Sequence, residues 1–216
     1  QELREKSPKR KFSQTFDLTI NFKGIDIKKQ DQRIDLFLQL PYSKGKKVKL
    51  AIFADNELEE KAKPFFDKVI KKQDLPSYKG KTAEIKKLAR EYDMFVAQVD
   101  LMGGIAQAFG KILGSRGKMP NPKAGAVVPS TILTVEPLAK KLRMTTRVVT
   151  KNEAAVKTSL GIESMPDEEI AENFLAVYQA VLKAVPQSKD NIKLVLLKLT
   201  MGPAYIFGQG MNNEQA

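Results

Sequence analysis

The period of the hydrophobic pattern changes twice along the chain, and this change limits the fold more than any other feature. Residues 16 to 22 alternate apolar and polar side chains, and from 34 to 40 every second residue is aliphatic, with Phe37 the one apolar residue among those between. Such alternation predicts two half-buried strands, each with one face toward a core. The segment "YSKGKK" after Pro41 is typical of an exposed linker.

Beyond this linker, short apolar runs alternate with helical patterns. The runs include "VKLAIFA" and "MFVAQV", and the helical segments include "NELEEKAKPFF" and "KTAEIKKLAREY". Short apolar runs between helices predict strands that are buried on both faces of a sheet. The middle of the chain is therefore predicted to be a layered α/β domain.

Strand-like alternation returns near Val156 and leads into the clearest helical pattern, "SMPDEEIAENFLAVYQAVLKAVP". Ser164 with Asp167 predicts an N-terminal cap for this helix. Two further strand segments, "KLVLLKLT" and "AYIF", follow. We expect both chain ends to form one split α+β sheet, including the two N-terminal strands, with the helix on its face. The middle domain would then be an insertion at an exposed turn.

Composition narrows the functional classes. The 216 residues include no cysteine and no histidine, which excludes thiolate and imidazole metal sites and the commonest general base. We expect no metal and no cofactor. No apolar run approaches the ~20 residues of a membrane span, so we expect a soluble intracellular protein.

Positive charge is concentrated in two blocks. The net charge is +12 and the sequence pI is near 9.7. Residues 1 to 50 carry 13 basic and 6 acidic side chains, and residues 101 to 151 carry 9 and 1, while residues 51 to 100 carry 10 of each. A surface kept soluble by scattered charges would not show such blocks. The distribution favours a nucleic acid as partner.

The stretch "LGSRGKMPNPKAG", residues 113 to 125, contains cations, glycines and prolines but no acid. A phosphate-binding P-loop needs a glycine five positions before Gly117, where the chain has Ile112, and a hydroxyl residue where it has Met119. The match fails twice. A basic loop for phosphate contacts and a tight connection with solvated lysines both remain open.

Two shorter motifs have equally open readings. "KRKFSQT" places cations beside Phe12, which suits RNA phosphates and a stacked base, but Phe12 could also be a core residue. "KLTMGPA" could be a simple bulge, or a turn whose backbone amides and hydroxyl bind ribose 2′-OH groups. The acids at the start of the long helix are explained by the helix dipole.

Taken with "KFSQT" and "KLTMGPA", the "RGKMPNPK" signature resembles the family of large-subunit ribosomal proteins at the E-site stalk, number one in the large-subunit naming. The likeness covers nearly the whole chain and is greater to the archaeal and eukaryotic branch. It implies α/β and α+β architecture in two domains. Residues 1–45 and 146–216 would form a discontinuous split β-α-β antiparallel-sheet domain, and 46–145 an inserted Rossmann-like three-layer α/β domain.

The resemblance also implies partners and site residues. The protein would bind the stalk three-way junction of large-subunit rRNA on cytoplasmic ribosomes, contact exit-site tRNA, repress its own mRNA, and be a monomer off the ribosome. A nucleotide-using α/β enzyme is the alternative. The implied RNA-binding residues lie on the discontinuous domain: Lys11, Phe12, Ser13, Thr15, Lys157, Thr200, Met201 and Gly202. Supplementary RNA contacts would come from Arg116, Lys118, Asn121 and Lys123.

Overall fold

The chain forms two compact units. Unit 1 comprises Gln1–Lys46 and Met144–Ala216, and unit 2 comprises Lys47–Arg143. The structure, a computed structural model, describes residues 1–29, 32–129, 134–207 and 210–211. What each unit does stays a prediction. Among the described helices, none has the length and apolar character that crossing a bilayer requires.

Unit 1 is built on antiparallel strands and unit 2 on parallel strands. The helices, in chain order, are α1 (Glu2–Lys6), α2 (Asn56–Ala62), α3 (Thr82–Glu91), α4 (Met102–Ser115), α5 (Glu136–Met144) and α6 (Asp167–Ala184). The strands are β1 (Thr15–Phe22), β2 (Asp35–Gln39), β3 (Leu50–Ala54), β4 (Lys68–Lys71), β5 (Met94–Gln98), β6 (Val127–Val128), β7 (Thr145–Val149), β8 (Ala155–Ile162), β9 (Ile192–Leu199), β10 (Ala204–Ile206) and β11 (Gly210–Met211). Short 3₁₀ helices cover Lys72–Tyr78, Val99–Leu101, Pro122–Ala124 and Ser188–Asn191.

The main sheet of unit 1 has the order β11-β10-β9-β1-β8, with each neighbouring pair antiparallel. The strand β1 alternates as predicted, and Leu18 and Ile20 are completely buried. They pack in one core with Val177 and Val181 of α6. The polar residues of β1 therefore lie on the other face of the sheet.

The position of α6 confirms its prediction, but its cap was predicted wrongly. The helix begins after Pro166, and no side chain caps it. The acids of its first turn meet the positive end of the helix dipole instead. Asp167 also forms an ion pair with Arg4, 2.9 Å from carboxylate oxygen to guanidinium nitrogen.

The prediction that both N-terminal strands share one sheet is wrong. Among the strands that the structure describes, the second of them, β2, pairs with β7 alone, in a separate antiparallel pair. Arg147 donates two hydrogen bonds to the Asp35 carboxylate across this pair, both 2.8 Å long. Alternation reveals which face of a strand is buried but not which strand is its neighbour.

Unit 2 has a parallel sheet with the order β4-β3-β5-β6. Every residue of β3 is buried, as the uninterrupted apolar run predicts. One face of the sheet packs against α3 and α4, where the ring of Phe109 lies 5.0 Å from that of Phe53. The mixed architecture of the two units confirms the predicted fold class.

Candidate RNA-binding surface

The first and last motifs of unit 1 meet where β1 begins and β9 ends. Because these strands are antiparallel neighbours, Phe16 lies opposite Leu199, which brings Thr15 beside Thr200. The Thr15 amide donates to the Thr200 hydroxyl at 3.1 Å, and the Thr200 amide donates to the Thr15 carbonyl at 3.1 Å. Two segments 185 residues apart are thus joined by backbone and side-chain hydrogen bonds.

The turn at Thr200–Gly202 uses its amides internally. Besides the Thr200 bond, the Met201 amide donates to the Gln14 side chain at 3.0 Å, and the Gly202 amide donates to the Leu199 carbonyl at 2.9 Å. The expectation that the turn presents amides to ribose is therefore wrong. Within the described residues no donor reaches the carbonyls of residues 200 to 202, so they can accept a bond from a ribose hydroxyl.

The two large side chains at this junction are exposed. Phe12 is 52% accessible and Met201 is 53% accessible, although both are apolar. The reading of Phe12 as a core residue is therefore wrong. Lys11 and Ser13 beside it are also exposed. The cation of Lys11 and the ring of Phe12 are neighbours in the chain. The thioether of Met201 belongs to the segment that the Thr15–Thr200 bonds join to them.

Gln14 holds the junction together, and sequence reasoning did not select it. Its side chain is completely buried, donates to the Pro8 carbonyl at 3.0 Å and accepts the Met201 amide. The Gln14 carbonyl also accepts from the Glu163 amide at 2.8 Å. The alternation of the strand could have revealed it, because Gln14 lies two residues before Phe16 and four before Leu18, on the side of the chain that faces the core. A polar residue at such a position must have internal partners.

Lys157 lies on the same sheet but away from the junction. It pairs with Thr19 in register, four residues along β1 from Thr15, which corresponds to about 13 Å at the usual strand rise. Its ammonium forms an ion pair with Glu153 at 2.7 Å. The structure therefore separates Lys157 from the Thr15–Thr200 junction.

Asp17 and Lys198 also lie on this polar face, and sequence reasoning selected neither. They are opposite each other in register. Burial raises the pKa of Asp17, and the charges of Lys198 and Lys44 partly oppose that rise. Lys44 is fixed nearby, because its ammonium donates to the hydroxyls of Thr146 at 2.7 Å and Ser159 at 3.2 Å. Both lysines add positive charge to the polar face.

The signature loop of unit 2 begins with a glycine-terminated helix. Gly117 has a φ of +66°. Its amide donates to the Gly114 carbonyl at 2.9 Å, and the Lys118 amide donates to the Leu113 carbonyl at 2.9 Å. This pair of bonds is the Schellman ending of α4. The glycine in "RGK" is explained by the turn itself.

Two of the four predicted loop contacts stabilise the loop. The Lys118 ammonium donates to the Tyr92 carbonyl at 2.7 Å. Burial lowers the pKa of Lys118, Asp93 opposes this, and Arg116 lowers it further. The Asn121 side chain accepts the Lys123 amide at 2.9 Å and caps the 3₁₀ helix. Arg116 and Lys123 are exposed, so their side chains can reach a phosphate.

A nucleotide site would be expected where the strand order of unit 2 reverses, between β3 and β5. There the Asp55 amide donates to the Gln98 side chain at 2.5 Å, and Gln98 is buried. Asp55 and Asp100 also make this edge acidic, which disfavours phosphate. The described residues contain no cluster of three or more acids able to hold a metal ion.

Comparison with known proteins identifies a family. Residues 3–203 match the model of the Ribosomal protein L1p/L10e family. The chain is 42% identical over 199 residues to the large ribosomal subunit protein uL1 of Nanoarchaeum equitans, covering 91% of this chain and 92% of that protein. It is 38% identical over 203 residues to the protein of the same name from Pyrococcus abyssi, covering 94% and 90%. The Thermococcus kodakarensis protein is 36% identical, covering 94% and 92%.

Proposed function

Because this chain belongs to the Ribosomal protein L1p/L10e family, we propose that it is a structural component of the large ribosomal subunit that binds large-subunit rRNA. Relatives that span nine tenths of its length carry the name of a large-subunit protein. Its site of action would be the ribosome in the cytoplasm. The excess of 37 basic over 25 acidic residues supports a polyanionic partner.

The family consists of ribosomal proteins and not of enzymes, which confirms that the nucleotide-using enzyme is the wrong alternative. The edge between β3 and β5 agrees with this, since the Asp55 amide there is already bonded to the Gln98 side chain and is not available to a phosphate.

The Thr15–Thr200 junction carries the proposal. Its hydrogen bonds join the two segments that contain Phe12 and Met201, two apolar side chains that are about half exposed, and Lys11 precedes Phe12. An exposed ring can stack on an unpaired base, and Met201 can pack against a ribose or base. The carbonyls of the turn can accept a hydrogen bond from the 2′-OH, which DNA lacks. Lys11, Ser13 and Thr15 would bind alongside, and Lys157 would reach phosphates farther along the sheet.

We further propose the stalk three-way junction as the rRNA target, with exit-site tRNA as a second contact. Repression of the protein's own mRNA would use the same surface, because one rigid junction can recognise one RNA shape in two molecules. Competition tests this directly: excess rRNA stalk fragment should displace the protein's own leader mRNA, and simultaneous binding of both would contradict a shared site.

Replacing Met201 with Asp tests the proposed surface. The carboxylate would approach RNA phosphates, so we expect at least a tenfold loss of affinity for an rRNA stalk fragment, about 1.4 kcal/mol. Leu175→Asp is the matched control, because Leu175 is 50% exposed on α6 of the same unit. Filter binding or calorimetry gives both affinities. Equal affinities for the two variants would rule out the junction as the binding surface.

A further inference from the structure

Unit 2 carries more excess positive charge than unit 1. Within residues 47–143 there are 19 basic and 11 acidic side chains, net +8, whereas the two segments of unit 1 together have 18 and 14, net +4. The Thr15–Thr200 junction belongs to unit 1 and leaves this larger excess without a role. Arg116 and Lys123 of the signature loop account for two of the cations.

Three more cations of unit 2 share one face of α3. Lys86, Lys87 and Arg90 recur at helical spacing and are all exposed, while Ile85 and Ala89 point to the core. We call these three cations the α3 stripe. With Ala83 and Glu91 they line an open depression of about 490 Å³. Residues 51 to 100 have no net charge, so counting charges along the sequence does not reveal this cluster. The three cations lie together because the helical period places them on one face.

The two acids of α3 form their ion pairs with lysines outside the α3 stripe. Glu84 pairs with Lys81 at 3.4 Å, and Glu91 lies 4.0 Å from the Lys49 ammonium. Among the described residues no ion pair includes a member of the α3 stripe. Like charges three and four residues apart weaken a helix. The helix dipole favours Arg90 in the last turn, but Lys86 and Lys87 lie mid-helix, where that effect has faded.

We propose that the α3 stripe is a second RNA-binding surface, which holds the phosphate backbone without reading sequence. Among the described residues that line the depression none is aromatic, so no ring can stack on a base, and Ala83 is the one apolar side chain. Protein interfaces concentrate aromatic residues and exclude lysine from their centres, so this surface is unlike a protein-docking site. A row of cations suits a chain of phosphates, whose counterions are released on binding. The surface is distinct from the Thr15–Thr200 junction and does not depend on it.

Salt dependence tests the proposal in the full-length protein. The variant Lys86→Gln/Lys87→Gln/Arg90→Gln removes three charges and keeps good helix formers. The control Lys61→Gln/Lys68→Gln/Lys72→Gln removes three exposed charges elsewhere in unit 2 that form no ion pair among the described residues. The probe is single-stranded polyuridylate, bound over a series of salt concentrations. The logarithm of the affinity is plotted against the logarithm of the salt concentration. We expect the slope of this plot to be shallower by about two for the α3-stripe variant, and the slope of the control to be close to that of the wild type.

Equal slopes for the two variants, with both folded by circular dichroism, would overturn the proposal. Polyglutamate is the second probe: binding as tight as that of polyuridylate, lost in the α3-stripe variant, would assign the surface to acidic polypeptides and overturn RNA as its partner. Met201→Asp separates this surface from the proposed function. Suppose that Met201→Asp keeps full rRNA affinity while the α3-stripe variant has a shallower salt dependence. The proposed function of the Thr15–Thr200 junction would then be wrong, and the α3 stripe would still be an RNA-binding surface.

Discussion

Gly202 shows how a residue selected for binding is also required by the folded chain. A Cβ at this position would lie 2.1 Å from the Ser7 hydroxyl and 3.1 Å from the Ser7 Cβ. Ser7 is buried, so it has little room to move. Close approach of ribose is therefore not needed to explain the glycine. A loss of RNA affinity on replacing Gly202 could come from the disturbed packing against Ser7 and not from a lost RNA contact. Met201 is therefore the better position at which to test the RNA-binding surface.

We predict that Gly202→Ala lowers the free energy of unfolding by about 1–3 kcal/mol, because the methyl group overlaps Ser7. In the double variant with Ser7→Gly, both overlapping atoms are gone, and most of that loss should be recovered. Denaturant unfolding of the single and double variants gives the coupling, which should exceed about 0.5 kcal/mol. Simple additivity of the two changes would contradict the contact.

At the scale of elements, the glycines of α4 and of the loop after it have different roles. Gly110 lies within the helix, and a Cβ there would meet no atom within 4 Å. Gly125 follows the loop's 3₁₀ helix with a φ of +71°, and a Cβ there would also meet nothing. A Cβ has room at both glycines, so the two sites differ only in their backbone conformation.

Alanine at these two positions should act in opposite directions. Gly110→Ala should raise the free energy of unfolding by about 0.5–1 kcal/mol through helix propensity. Gly125→Ala should lower it by about 1–2 kcal/mol, because alanine is strained in the left-handed region. Thermal or denaturant unfolding of each single variant checks both signs. A destabilising Gly110→Ala would mean that the exposed face of α4 has a neighbour in solution.

At the scale of the whole molecule, the chain leaves unit 1 and returns to it at adjacent points. The Leu40 amide donates to the Met144 carbonyl at 2.9 Å, and Lys44 binds the Thr146 hydroxyl. The predicted ranges put the crossings at 45/46 and 145/146, within two residues of the compact units. Whether unit 1 is by itself the RNA-binding domain stays a prediction.

Replacing residues 47–143 with a short glycine-serine linker tests that division. Because the two ends are already joined by hydrogen bonds, we expect unit 1 to fold and unfold cooperatively. It should keep the sensitivity of rRNA binding to Met201→Asp. Its salt slope should be shallower than that of the full chain, since the unit with net charge +8 is gone. Loss of cooperative unfolding, or of all rRNA binding, would contradict the assignment.

Part of the candidate surface was accessible to sequence reasoning. Phe12 and Thr200–Gly202 were selected from motifs, and hydrogen bonds of Gln14 and Thr15 join the two segments that contain them. Gln14 and Lys198 were not selected, because their roles depend on partners across the sheet. Lys118 was selected for phosphate, yet its ammonium is bonded to the Tyr92 carbonyl, 26 residues away.

The sequence by itself determined the strand faces, the layered α/β character of the middle segment, the exclusion of histidine and cysteine chemistry, and the excess of positive charge. These are local or additive properties, which periodicity and counting measure directly. Only the tertiary structure decided that β2 pairs with β7 and that Gln14 holds the Met201 amide, 187 residues away. The period of the hydrophobic pattern indicates which face of an element is buried. Which neighbour covers that face depends on the packing of the whole chain.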